Sequence, residues 1–412
     1  MDAKKRERPA TRYIPFRKKD IVEMCIASGG LAGKEQMQFR QLCEVLKSVY
    51  HFEYHQKLER LKDAYAPLNP DRDTRKVGFY TENQEAGFIA GLDELLDKAN
   101  YEALSETELK HAMEESSLFQ LKLHIDFDEF EEVLLYTRGE SIRREEVKQW
   151  YGLRKQIIEF PNFDRVVIYI RFKKELKDTK LQHKPGSTML KLFQNVPKAD
   201  VEMLFPNTRL GMRTIDKLMI AVPALLGSGA IFTTKVGPSL LLFGGLLGYW
   251  FGISSEPVKL DQGVMLAIVI GVVGLGSYIW KQFVNFKNRK LTYMQTLTES
   301  LYFKNLDNNA GVFHRLVDDA EEEECKEAIL GYYFLLTKSD LNTVSSLDEG
   351  VEAWFKERWD CALDYEVEDA LAKLFDLGLI SEADGQLKAI DMDTACQKLD
   401  KRWDDYFVYN QR

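Results

Sequence analysis

LMIAVPALLGSGAIFTTKVGPSLLLFGGLLGYWFGISSEPVKLDQGVMLAIVIGVVGLGSYIW, residues 218–280, is nearly free of charge, rich in glycine and flanked by basic clusters. Three apolar runs stand out in it: Leu218–Thr234, Gly237–Ile253 and Val264–Trp280, each of 17 residues. As helix, such a run rises about 25 Å, the lower limit for crossing a bilayer. Arg209, Arg213 and Lys217 precede the first run, and Lys281, Lys287, Arg289 and Lys290 follow the last. The loop Ser254–Gly263 carries only Lys259 against Glu256 and Asp261. Basic flanks stay on the cytoplasmic side, so both ends belong there and the loop outside, which requires an even number of crossings. Pro223, Gly227, Ser228 and Gly229 interrupt the first run, and only Lys235 and Val236 separate it from the second. The expectation is two spans, 237–253 and 264–280, with 218–234 re-entrant or a third span. Gly244, Gly248 and Gly252 recur at every fourth position and lay a flat stripe for close helix packing, within the hairpin or between copies of a homo-oligomer.

The rest of the chain reads as water-facing protein. Its 412 residues are 45% hydrophobic, its mean hydropathy is −0.31 and its net charge is −9. That charge speaks against nucleic acid as a partner, since phosphate neutralisation needs a basic surface. The five cysteines, Cys25, Cys43, Cys325, Cys361 and Cys396, contain no C-x-x-C pair and suit free thiols in a reducing compartment. The N-terminal stretch MDAKKRERPATRYIPFRKK lacks an apolar core, so it is expected to be a solvated basic arm rather than a secretory signal.

Residues 20–65 show a helical period through Phe39, Leu42, Leu46, Val49, Phe52, Leu58, Leu61 and Tyr65. GFIAGLDELLDKANY is a second helical stretch, and Ser105 and Glu108 have capping-box spacing. β-Branched and aromatic content marks strands at Glu132–Thr137, Arg165–Phe172 and Met189–Phe193. Past the apolar runs, a helix through Leu301, a break at Asp307–Gly311 and a helix from about Val312 are expected. The last 65 residues run helix, helix, a hairpin tipped by Asp384-Gly385, and helix, the order of a winged helix. Positions 340–412 hold 18 acidic and 8 basic residues, which suits protein contacts rather than DNA. The fold expected is an α+β membrane protein in five parts: a basic arm (1–19), an α+β domain of helices and a small sheet (20–216), the membrane region (217–283), a helical membrane-proximal region (284–338) and an acidic winged-helix-like module (339–412).

Chemistry is sparse. His51 and His55 stand four apart on a helix, a spacing that can share a metal, but the run is H-F-E-Y-H rather than H-E-x-x-H. Glu53 faces elsewhere and no third ligand is near in sequence, so structural histidines are the plainer reading. His314, Asp318, Glu321, Glu322 and Cys325 fall on one helical face and form a candidate divalent-metal set, against a solvated or salt-bridged acidic face. No Walker or Rossmann phosphate loop, no G-x-S-x-G elbow and no cofactor motif is present.

Four stretches carry a resemblance: RYIPFRKKDIVEMCI (12–26), QWYGLRKQIIEFPNFDRVVIYIRFK (149–173), LKLFQNVPKADVEMLFPNTRLGM (190–212) and the block Phe286–Leu336. Together they resemble the transmembrane protein 143-like family, defined by a domain of unknown function. The resemblance implies a soluble–membrane–soluble layout and supplies no activity, substrate or catalytic residue. Because it begins by residue 12, a bacterial inner-membrane placement is expected, multi-pass with both termini cytoplasmic. The expected function is a non-enzymatic, membrane-anchored scaffold or regulator acting through the bilayer and a protein partner. An oligomeric channel or transporter using 218–234 is the alternative, and a metal-dependent membrane enzyme the third.

Overall fold

The computed structural model describes residues 11–71, 75, 84–105, 122–149, 154–175, 185–211, 249–251 and 262–407. They fall into two compact units. One gathers Met1–Glu115, Asp126–Val201 and Lys304–Arg412, so segments from both ends of the chain share a unit. The other comprises Ser116–Ile125 and Glu202–Phe303.

The first unit is built on a five-stranded antiparallel sheet in the order β1-β3-β4-β5-β7. Its strands are β1 (Glu102–Ala103), β3 (Phe130–Gln149), β4 (Arg154–Phe172), β5 (Thr188–Pro197) and β7 (Asn305–Asn308). All three strands expected from composition are present and longer than expected. β3 and β4 pair from Phe130↔Phe172 out to Gln149↔Arg154. Their outer arm, with Glu145↔Ile158 and Lys148↔Lys155, is too polar for hydrophobic patterning to reveal, and backbone pairing extends it. Val166, Val167, Ile168, Tyr169 and Ile170 are all at most 1% exposed, so this part of β4 is covered on both faces and reads as a continuous apolar run.

The helical stretch expected over 20–65 is two helices, α1 (Lys18–Ala27) and α2 (Gly33–Tyr65). The turn between them needs glycine twice. Gly29 takes φ +82°, and a Cβ on Gly30 would lie 2.9 Å from atoms of both Thr337 and Tyr333. α3 (Gln84–Lys98) follows where GFIAGLDELLDK was expected to be helical. Of the capping-box pair, Ser105 is described and Glu108 lies outside the described residues.

The break expected at Asp307–Gly311 lies slightly earlier, at the strand β7 and Asn309, with Gly311 already helical; β7 joins the sheet beside β5 through Lys191↔Asn308 and Leu192↔Asp307. Asn309, at φ +49°, turns the chain, and its side-chain oxygen accepts from Tyr65 Oη at 2.9 Å and from the Leu190 amide at 3.2 Å. α5 (Ala310–Thr337) then runs through the core. α6 (Val344–Trp359) is capped by Thr343 and α7 (Val367–Asp376) ends at Gly378, φ +64°. β8 (Ile380–Ala383) and β9 (Gln386–Ala389) pair around a two-residue turn, Asp384-Gly385, with both φ values positive. α8 (Met392–Asp405) is capped by Asp391. Helix, helix, hairpin, helix is the order expected for the last 65 residues.

The N-terminal segment is held from Thr11 inward, rather than solvated throughout. Thr11 bridges Leu363, its carbonyl accepts from the Asp364 amide at 3.0 Å, and Arg12 pairs with Glu366.

In the second unit, β2 (Lys122–His124) pairs antiparallel with β6 (Arg209–Gly211), and α4 (Gln262–Lys304) is a helix of 43 residues. Here the membrane expectation is overturned: among the described residues, no helix is long and apolar enough to cross a membrane. Val264–Trp280 is not a separate span but the first part of α4, which continues without a break through Lys281, Lys287, Arg289 and Lys290. Seventeen apolar residues rise about 25 Å, only the lower limit for crossing the roughly 30 Å of bilayer hydrocarbon. Leu218–Thr234 lies outside the described residues, Gly237–Ile253 is described only at Tyr249–Phe251, and Gly244, Gly248 and Gly252 are outside as well. The transmembrane hairpin and the multi-pass inner-membrane placement with cytoplasmic termini are therefore not supported. The channel alternative rested on the same runs.

Candidate functional site

From Ala320 to Leu335 every residue of α5 is buried except Glu322, which is half-buried. A helix covered all round is ordinarily apolar. This one buries Glu321, Glu323, Glu324, Lys326 and Glu327. Unpaired, each such charge would cost several kcal/mol, so the packing elements must supply counter-charges.

Two clusters do so. In the first, the Glu323 carboxylate accepts from Arg138 Nη2 at 2.5 Å and Lys326 Nζ at 2.9 Å on one oxygen, and from the Ile14 amide at 2.9 Å on the other. Lys326 also donates to the Ile14 carbonyl at 2.6 Å. Arg138, on β3, lies 2.9 Å from Asp319 and stacks over Tyr13 at 4.7 Å. Burial opposes its charge, but Asp319 and Glu323 outweigh that and raise its pKa.

In the second, Lys373 of α7 meets three carboxylates. Its Nζ is 2.9 Å from Glu324, 2.6 Å from Glu327 and 2.9 Å from Asp369. Lys98 of α3 adds contacts of 2.5 Å to Asp369 and 3.6 Å to Glu324, and Asn100 donates to Glu327 at 3.0 Å. Among the described residues these three carboxylates form the one group of three or more side chains with metal-ligand spacing, their ligand atoms all within 4.8 Å. The Lys373 ammonium stands where an ion would. Burial works against its charge, yet Glu327 and Glu324 hold its pKa above the ordinary lysine value. Burial likewise works against the Asp369 carboxylate, but Lys373 and Lys98 prevail and hold it down at about 2.

Three carboxylates facing two ammonium groups leave one negative charge in excess. Glu324 takes the consequence: burial raises its carboxyl to about 7 despite Lys373. Glu327 has the shorter contact to Lys373 and the Asn100 amide as well.

The metal set expected from sequence is not assembled. His314 and Asp318 are exposed. Glu321 turns to Lys18 Nζ at 2.6 Å and His51 Nδ1 at 3.0 Å, and Glu322 accepts from the Lys18 amide at 3.1 Å. Cys325 is fully buried, and burial pushes its thiol up to about 12, which keeps it from serving as a thiolate ligand. Lys18, Arg138 and Lys373 were invisible as partners because they lie far from α5 in sequence.

The Glu321–His51 contact opens onto a groove of about 540 Å³ lined by Lys47, Ser48, His51, Phe52, His55, Glu321 and Trp403. Glu53, between the two histidines, faces α8 as its helical position requires, and accepts from Arg402 at 2.8 Å and from the Tyr406 hydroxyl.

No solved structure matches this chain. Nothing links it to the transmembrane protein 143-like family expected from its sequence. What does match is residues 163–311, from β4 through β5, β6, α4 and β7 into the first turn of α5, and the family matched there is described as "Protein of unknown function (DUF3754)".

Proposed function

We propose that the chain is a non-enzymatic scaffold or regulatory protein acting through a protein partner. One observation carries this reading. The carboxylates Glu324, Glu327 and Asp369 are engaged by Lys373 at 2.6–2.9 Å and by Lys98, so the cluster is occupied in holding α3, α5 and α7 together. Cys25, Cys43 and Cys325 are likewise buried thiols, with ionisation pushed up by burial, and poor nucleophiles. The C-terminal segment is acidic, with 18 acidic against 8 basic residues in positions 340–412, a balance suited to a basic protein partner. The likeness of Phe286–Leu336 to the transmembrane protein 143-like family stands as our own reading and brings no activity with it.

The test is a photo-crosslinking residue placed at Phe375, which is 41% exposed on α7, in full-length protein at native expression, with Met37 on α2 as the comparison position. A discrete adduct from position 375 that weakens with salt is expected. No adduct, or the same diffuse labelling from both positions, would overturn the reading.

A further inference from the structure

We propose that the groove between α2, α5 and α8 binds a divalent transition-metal ion of the zinc, nickel or copper class through His51 and His55, with Glu321 as the positioning residue for His51. Both imidazoles are exposed, stand one helical turn apart on α2 and line the same groove. That spacing lets two imidazoles reach one ion. Sequence alone offered them no support. The fold brings Glu321 from 270 positions away, its carboxylate 3.0 Å from His51 Nδ1. With Nδ1–H donating to Glu321, the lone pair of His51 sits on Nε2, the arrangement by which carboxylates fix metal-binding histidines.

Glu321 is itself held. Its side chain is 11% exposed and accepts from Lys18 Nζ at 2.6 Å. The cations near the groove are compensated: Lys18 by Glu321 and Glu322, and Lys47 by Glu44 at 2.8 Å. Two imidazole nitrogens suit zinc, nickel or copper rather than calcium or magnesium, which take oxygen ligands. Glu53 is turned to Arg402 and Tyr406, so no carboxylate base stands between the histidines, and the site is one of binding rather than hydrolysis. The groove's open side leaves the remaining coordination positions to water or to a partner's side chain.

The test is zinc titration of the full-length protein by calorimetry, paired with copper binding read by electron paramagnetic resonance. One zinc equivalent is expected. His51→Ala and His55→Ala, both at exposed positions, should each lower affinity at least tenfold and remove nitrogen coupling from the copper spectrum. Glu321→Gln should weaken zinc by roughly 10- to 100-fold, the usual consequence of losing such a partner. His314→Ala should change nothing. Zinc affinity unaltered in the His51 and His55 variants, affinity lost on alkylating Cys361 and Cys396 instead, or no binding at millimolar zinc would each overturn the proposal.

Discussion

Replacing Glu324 by Gln should abolish a pH dependence of folding that the charge imbalance around Lys373 creates. The Glu324 carboxyl ionises near 7 in the folded chain and near 4.5 as an unperturbed side chain. Between those values the folded state holds a proton that the unfolded state has released, so stability from this group is present below pH 4.5 and lost as pH rises through 7. At about 1.4 kcal/mol per pH unit the loss is about 3 kcal/mol, a sizeable part of the stability of an ordinary domain. The side chain is 5% exposed, so solvent screens it little. A neutral glutamine removes the excess charge and cannot titrate. Urea unfolding at about pH 5 and about pH 8, with linear extrapolation, measures the effect. The wild type should lose about 2.5 kcal/mol more than the variant across that interval, since part of the loss has already occurred at about pH 5, and the variant should be the more stable at the upper end. Burial also raises Asp348, to about 6, with Glu352 adding to the effect; this contributes to both proteins and cancels in the comparison. Equal pH dependence in the two proteins would refute the reasoning, as would wild-type stability that rises with pH over this interval.

Lys373→Met leaves Glu324, Glu327 and Asp369 without their shared cation and should cost about 3–5 kcal/mol in urea unfolding at neutral pH. A cost under about 1 kcal/mol would mean the cluster relaxes into water. Thiol titration of the native protein should label Cys361 and Cys396, both half-buried, while Cys25, Cys43 and Cys325 react only on unfolding; prompt labelling of all five would contradict the packing. Gly30→Ala puts a methyl group 2.9 Å from atoms of Thr337 and Tyr333 and should cost about 1–3 kcal/mol through overpacking, whereas an unchanged melting temperature would show that the turn yields freely.

Local order was legible wherever a single segment states its own periodicity. The helix period around Phe39 to Tyr65, the apolar run of β4, the Asp384-Gly385 turn and the break before α5 all stand in the structure near their expected positions. The membrane expectation shows the limit of the same method. Composition drew the edges of Val264–Trp280, but the backbone continues as one helix to Lys304 and does not stop where hydropathy falls. Strand ends failed similarly, because the polar outer arm of β3 and β4 forms by pairing, which neither strand displays alone.

The chain by itself also determined that α5 would be acidic and that His51 and His55 would share a face. Only the tertiary structure decided what those residues face. Hydrophobic periodicity specifies that a helix is buried but is silent on which distant side chain meets a buried charge. Lys18, Arg138 and Lys373 reach α5 from an N-terminal helix, a central strand and a C-terminal helix, and Glu321 reaches His51 across 270 positions. Electrostatic pairing in a low-dielectric core acts through space over a few ångströms, so it becomes visible only once the elements have packed.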